Sequence, residues 1–89
     1  MRLDQFLKAS RLIKQRTTAK WACESGRVEM LGRAAKPGTH VRPGDEITLH
    51  LRDRSVRVRV LELPAGRNVS KALARTLYEI LDEWNARDF

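Results

Sequence analysis

A single cysteine, two histidines and no apolar run of membrane-spanning length set the first limits on this chain. One cysteine has no partner for an internal disulfide, which fits a reducing cytosol. Nothing approaches the ~18 consecutive apolar residues that a spanning helix needs. The opening MRLDQFLKASRLIK has neither a long apolar core nor a small-residue cleavage site. A secretory signal is therefore not expected, and the expected location is cytoplasmic.

The chemistry of catalysis is thin as well. His40 and His50 lie far in sequence from Cys23, and the carboxylates are scattered. No glycine-rich phosphate loop with a Lys-Ser/Thr signature occurs. Catalysis needs convergent groups, such as a nucleophile with a base, paired carboxylates or a metal cage. None is expected here, and with it no catalytic residue, metal or cofactor. Cys23 falls on an apolar helical stripe, where a thiol packs as a small hydrophobe.

Positive charge, by contrast, is abundant. The 89 residues hold 18 Lys plus Arg against 11 Asp plus Glu, a net of +7. A chain of this length supports one domain with a modest core. Residues 1–60 carry 14 basic and 6 acidic side chains, and residues 61–89 carry 4 and 5. Residues 2–20 alone carry six basic side chains and one acid, Asp4. Such a one-signed segment fits a polyanion better than an ordinary solvated face, which mixes signs. The surface for that polyanion is expected in the first two-thirds of the chain.

Periodicity sets out the elements. Leu3, Phe6 and Leu7 recur at helical spacing, with Asp4 in the first turn where a carboxylate suits the helix dipole. Residues 10–15 connect this helix to a second over Arg16–Ser25, with Ala19, Ala22 and Cys23 inward, Thr17 near its start and Gly26 as terminator. Trp21 is expected to pack, partly buried. Val28 and Met30 alternate as a strand, and Leu31-Gly32 makes a turn. Ile47, Leu49 and Leu51, then Val56, Val58 and Val60, alternate as the two strands of a hairpin. Arg57 and Arg59 fall on its outer face as solubilising residues. After Pro64-Ala65-Gly66, the spacing of Leu73, Leu77, Ile80, Leu81 and Trp84 predicts a last helix, capped by Ser70 and running to about Arg87. The expected fold class is α+β: two N-terminal helices packed on a small, mostly antiparallel sheet, plus a C-terminal helix.

On one outer surface this arrangement gathers Arg2, Lys8, Arg11, Lys14, Arg16, Lys20 and Arg27. Long basic side chains can lie beside an apolar stripe while their heads stay in water. Arginine can also grip phosphate bidentately or stack on an unpaired base. A nucleic acid is the polyanion such a surface suits, and the resemblance below makes those seven the candidate RNA contacts.

The series Arg2-Leu3-Asp4 with Phe6-Leu7, Arg16-Thr17 with Ala19, Gly26-Arg27-Val28, Gly32, and Val41 with Pro43-Gly44-Asp45 resembles the S4-type RNA-binding domain over about residues 1–50. The resemblance implies an S4-like (αL motif) fold whose two helices and following turn form a basic RNA surface. It places Arg2 and Arg16 first among the contacts, Asp4 as a residue that orients them or caps the helix, and Gly26 and Gly32 as structural glycines. Leu31 stands where the family often has Asn, and Gln15 where it often has Ser or a basic residue. Residues 1–63 would form the RNA-binding domain with its hairpin extension, and residues 64–89 a linker and helix packed on it.

Among free-standing members, the length and the opening MRLDQFLKASRLIKQRTTAK are most like those of ribosome-associated quality control. That likeness implies a monomeric, non-enzymatic factor. Its partners would be the large ribosomal subunit (23S rRNA) and peptidyl-tRNA on stalled, split particles, with a quality-control partner protein that adds alanine to the nascent chain. Three alternatives are a heat-shock type that rescues aborted large subunits, an accessory module that docks an RNA-modifying enzyme, and a general binder of anionic surfaces.

Overall fold

A computed structural model describes residues 1–66 and 69–85. Helix α1 spans Leu3–Ala9 and α2 spans Arg16–Glu24. Strands β1 (Val28–Met30), β2 (Arg33–Ala34), β3 (Glu46–His50) and β4 (Arg54–Val60) follow. A single turn of helix, α3 (Lys71–Ala74), leads into β5 (Tyr78–Asn85). The strands form one antiparallel sheet in the order β2-β1-β3-β4-β5.

The class is α+β, as the patterning predicts. Leu3, Phe6 and Leu7 of α1, and Ala19, Ala22 and Cys23 of α2, are buried with Val28, Ile47, Leu49, Val56, Val58 and Val60 of the sheet. The helices therefore cover one face of the sheet, and each alternating valine of β4 turns toward them. Val69, Ala74 and Leu77 join the same core from the far end of the chain.

Glycines end elements where the backbone must turn left-handed. Gly26 has φ +80° just beyond α2. Its N–H donates to the Cys23 carbonyl, and that of Arg27 to Ala22, which satisfies the last helical acceptors. Leu31 and Gly32 both have positive φ, 55° and 75°, in the two-residue turn between β1 and β2. Such a pair matches the right-handed twist of the flanking strands. Thr17 does not cap α2; the N-cap is Gln15, in extended conformation and without a side-chain cap bond.

The C-terminal helix is far shorter than its spacing predicts. Ser70 does cap it, accepting from Leu73 N–H at 3.1 Å. The helix stops at Ala74, however, and Tyr78 onward pairs with β4. Arg57 pairs with Asp82 and Val58 with Ile80, so Leu81 is the extra residue of a bulge. The bulge leaves Tyr78, Leu81 and Trp84 half-buried at intervals of three, which imitates a helical stripe. The free edge of β4 offers the segment a full ladder of backbone hydrogen bonds, and Leu73 and Ile80 stay largely exposed. The predicted end near Arg87 lies outside the described residues.

Candidate nucleic-acid interface

Asp4 is an acid in the first turn of α1, and its side chain is only 2 % exposed. An isolated buried carboxylate is costly, so its partners matter. Oδ1 accepts from the Gln5 N–H at 2.9 Å and from Arg2 Nε at 3.1 Å. Oδ2 accepts from a terminal nitrogen of Arg2 at 3.4 Å and lies 3.6 Å from Arg16 Nε. The helix N-terminus adds favourable potential. Asp4 thus serves the helix end and both arginines at once, where the sequence left the two roles as alternatives.

The two arginines meet the acid differently. Arg2 engages it through Nε and one terminal nitrogen, in a fork. Arg16 approaches through Nε. Their side chains remain 46 % and 53 % exposed, so each guanidinium presents its outer donors to solvent. The arginine ends of both pairs stay in water, which screens the attraction, so their chief effect on the arginines is orientation. Asp4 fixes the direction of two forks, each suited to bidentate recognition of phosphate.

The loop between β2 and β3 braces this corner. Thr39 and Pro37 carbonyls accept from Leu3 N–H (2.8 Å) and Asp4 N–H (3.1 Å), satisfying two free donors of the first turn. Arg2 forms a β-bridge with His40, and Val41 N–H donates to Met1. The position of Asp4 is therefore set by backbone bonds as well as by Leu3 and Phe6 in the core.

The remaining basic candidates fall into three places. Lys20 is exposed one turn beyond Arg16 on α2. Lys8, Arg11 and Lys14 line a hollow of about 500 Å³ beyond the end of α1. Arg27 leaves α2 and sets its guanidinium 5.1 Å from the centre of the Trp21 ring. Trp21 itself is 55 % exposed, so it is a surface residue rather than the packing residue expected of it. Contacts tie Arg2, Asp4 and Arg16 together directly; Arg27 is tied to Trp21 instead.

Charge separates the two faces of the molecule. On the sheet, Arg57 and Arg59 lie 3.7 and 3.8 Å from Glu46, and Arg59 also meets Glu79 at 2.7 Å. Arg54 pairs with Glu83 at 2.6 Å. The β4 arginines Arg54, Arg57 and Arg59 are thus neutralised in place. Among the described residues, Lys8, Arg11, Lys14 and Lys20 have no carboxylate within ion-pair distance. A wider hollow of about 910 Å³ near β2 carries both signs, with Glu29, Asp45 and Glu46 beside Arg33, Arg42 and Arg57. Arg33, Lys36, Arg42 and Arg52 also lack an ion pair among the described residues, but the stretch from Lys8 to Lys20, on the helices and their connector, holds five basic residues and no acid.

No group of three or more His, Cys, Asp or Glu among the described residues is placed to hold a metal ion. No described helix is long and apolar enough to cross a membrane. Lys71 escaped the sequence reading. It lines the same hollow as Lys8, Arg11 and Lys14 although it lies in the segment of slight net negative charge.

An α+β scaffold with two helices joined by a basic connector, a buried aspartate clamping two arginines and glycines at both turns is the architecture expected of an S4 domain. The S4 domain family signature matches residues 1–47, and the chain belongs to that family. It is 47 % identical over 83 residues to the RQC P-site tRNA stabilizing factor of Halalkalibacterium halodurans, covering 93 % of this chain and 92 % of that protein. It is 38 % identical over 79 residues to a heat shock protein 15 homolog of Aeromonas salmonicida, covering 89 % of this chain and 59 % of that protein. The fold superposes on the trimeric structure of Vibrio cholerae heat shock protein 15 with a TM-score of 0.80 and 32 % identity. That likeness covers 90 % of this chain and 80 % of the other.

Proposed function

We propose that this protein is a non-enzymatic RNA-binding factor of ribosome-associated quality control. It binds the large (50S) ribosomal subunit left when a stalled ribosome splits, contacts 23S rRNA and the attached peptidyl-tRNA, and steadies the tRNA while a partner protein extends the nascent chain with alanine. The setting is the cytoplasm. The observation that carries this reading is the Arg2–Asp4–Arg16 cluster: a buried acid holds two half-exposed guanidinium groups beside the acid-free basic stretch from Lys8 to Lys20. A relative named for stabilising P-site tRNA, matched over nearly its whole length, supports the ribosomal assignment.

RNA contacts are assigned to Arg2, Lys8, Arg11, Lys14, Arg16, Lys20 and Arg27, with Asp4, Gly26 and Gly32 holding their frame. Phosphate contacts position such a module, and they make its affinity fall linearly with salt on logarithmic axes, by roughly 0.7–0.9 per phosphate neutralised.

Co-sedimentation with purified large subunits tests the assignment. Arg16→Glu is expected to abolish it while leaving the circular dichroism spectrum unchanged. Undiminished sedimentation would refute the proposed face. Affinity purification from cells should recover large subunits with peptidyl-tRNA. Recovery of small subunits, or of one RNA-modifying enzyme, would overturn this reading.

A further inference from the structure

The hollow beyond α1 is built from both ends of the chain. Lys8, Ala9, Arg11 and Lys14 line one side, and Val69 and Lys71 line the other. Four of these six side chains are cationic, and no carboxylate lines the space. Like charges gathered in a concavity repel, and a low-dielectric wall strengthens the field they share. An anion in the hollow relieves that repulsion.

Arg11 makes the arrangement specific. Its backbone lies at φ +62°, the left-handed conformation in which α-helices ordinarily end with glycine. An arginine there is strained, and strain that persists points to a role for the side chain. That side chain donates to the Val69 carbonyl at 3.1 Å, across 58 positions of sequence. The guanidinium thus fastens the C-terminal segment to the end of α1 and brings Lys71 opposite Lys8 and Lys14. Lys8 and Ala9 also line a neighbouring hollow with Arg16, so the cleft continues the surface that Arg16 marks.

We infer that this cleft is a binding site for a backbone phosphate of the RNA. Lys71 is a contact residue in it and Arg11 is the strut that positions it. The C-terminal third of the chain then belongs to the RNA interface, despite its slight net negative charge. The inference rests on the RNA-binding reading above and extends it to a residue outside the S4 signature, which ends at residue 47.

The test uses the full chain, purified large subunits and lysine acylation mapped by mass spectrometry. Bound subunits should protect Lys71 together with Lys8 and Lys14. Lys71→Ala should lower the slope of log affinity against log salt by about 0.7–0.9, the value of one phosphate contact, with an unchanged melting temperature. In an Arg11→Lys background, which keeps the charge but not the forked donor, Lys71→Ala should have a smaller effect on the slope. Lys71 equally reactive in free and bound protein, with the parent's salt slope in Lys71→Ala, would overturn the inference. Inorganic phosphate alone is the control: protection of Lys71 by phosphate but not by subunits would mark the cleft as a general anion site and refute the RNA contact. If the parent protein fails to bind large subunits yet total cellular RNA protects Lys71, the ribosomal reading falls and the cleft stands.

Discussion

Asp4 and Arg16 belong to different helices, yet the Asp4 carboxylate lies 3.6 Å from Arg16 Nε and at the same time accepts from Arg2. One acid thereby sets two cations on the surface proposed to meet RNA. Simple electrostatics says that removing the acid should tighten RNA binding, because net charge rises. The geometry says the reverse. Asp4→Asn keeps an acceptor for the Gln5 N–H but loses the charge that holds both guanidinium groups. We expect binding to large subunits to weaken about tenfold, ~1.4 kcal/mol. The lost charge at the helix start should cost about 1 kcal/mol of stability, which is roughly 4–8 °C in a domain of this size. Sedimentation and thermal melting on one preparation separate the two effects. Tighter binding by Asp4→Asn would show that the acid only repels phosphate.

Arg16 contacts Asp4 through Nε, which leaves its terminal nitrogens outermost. Lysine has a single donor head and cannot hold the carboxylate and offer a fork outward together. Arg16→Lys should therefore weaken subunit binding nearly as much as Arg16→Ala does, although its charge is intact. Quantitative sedimentation at several salt concentrations checks this. Parental affinity in Arg16→Lys would mean that Arg16 acts as a point charge.

Local signals made much of this fold legible, and non-local contacts account for what was missed. Gly26 beyond α2, Leu31-Gly32 between two short strands and the alternating valines of β4 each act within a few residues, so spacing reveals them. The strand at Tyr78–Asn85 depends on the free edge of β4, which lies earlier in the chain, and its bulge at Leu81 counterfeits a helical stripe. The candidate interface divides the same way. Counting charge located the basic segment, and the S4 resemblance ranked Arg2 and Arg16 first within it. Whether Asp4 caps or orients depends on how α1 meets α2, which no spacing reports. Lys71 joins Lys8 and Lys14 through contacts across the fold, the Arg11–Val69 hydrogen bond and the burial of Val69, Ala74 and Leu77.

Leu31 occupies the first position of the β1–β2 turn at φ +55° with 95 % of its surface exposed. A branched apolar residue gains nothing from that exposure and is strained by that backbone, whereas asparagine tolerates it. Leu31→Asn should stabilise the fold by about 0.5–1 kcal/mol, a part of the ~1–2 kcal/mol that a left-handed residue costs. A rise of a few degrees in melting temperature is the expected reading. No rise, combined with weaker binding to large subunits, would show that Leu31 is kept as a contact.

Cys23 is buried between α2 and the core, and burial, with smaller contributions from the Asp4 and Glu24 carboxylates, pushes its thiol from the ordinary 9.0 up to about 11. The sign of the pH dependence follows. Between about pH 9 and 11 the unfolded chain releases the thiol proton while the folded chain keeps it. The folded state then binds more protons, so this group's contribution to stability falls as pH rises through that window. Cys23→Ala removes this component and should flatten the alkaline decline in denaturation midpoint relative to the parent. Folded parent at neutral pH should also resist a thiol-specific reagent and react fully in denaturant. Rapid labelling of the folded protein, or parallel alkaline profiles for parent and Cys23→Ala, would show that the thiol is not protected by the packing of α2.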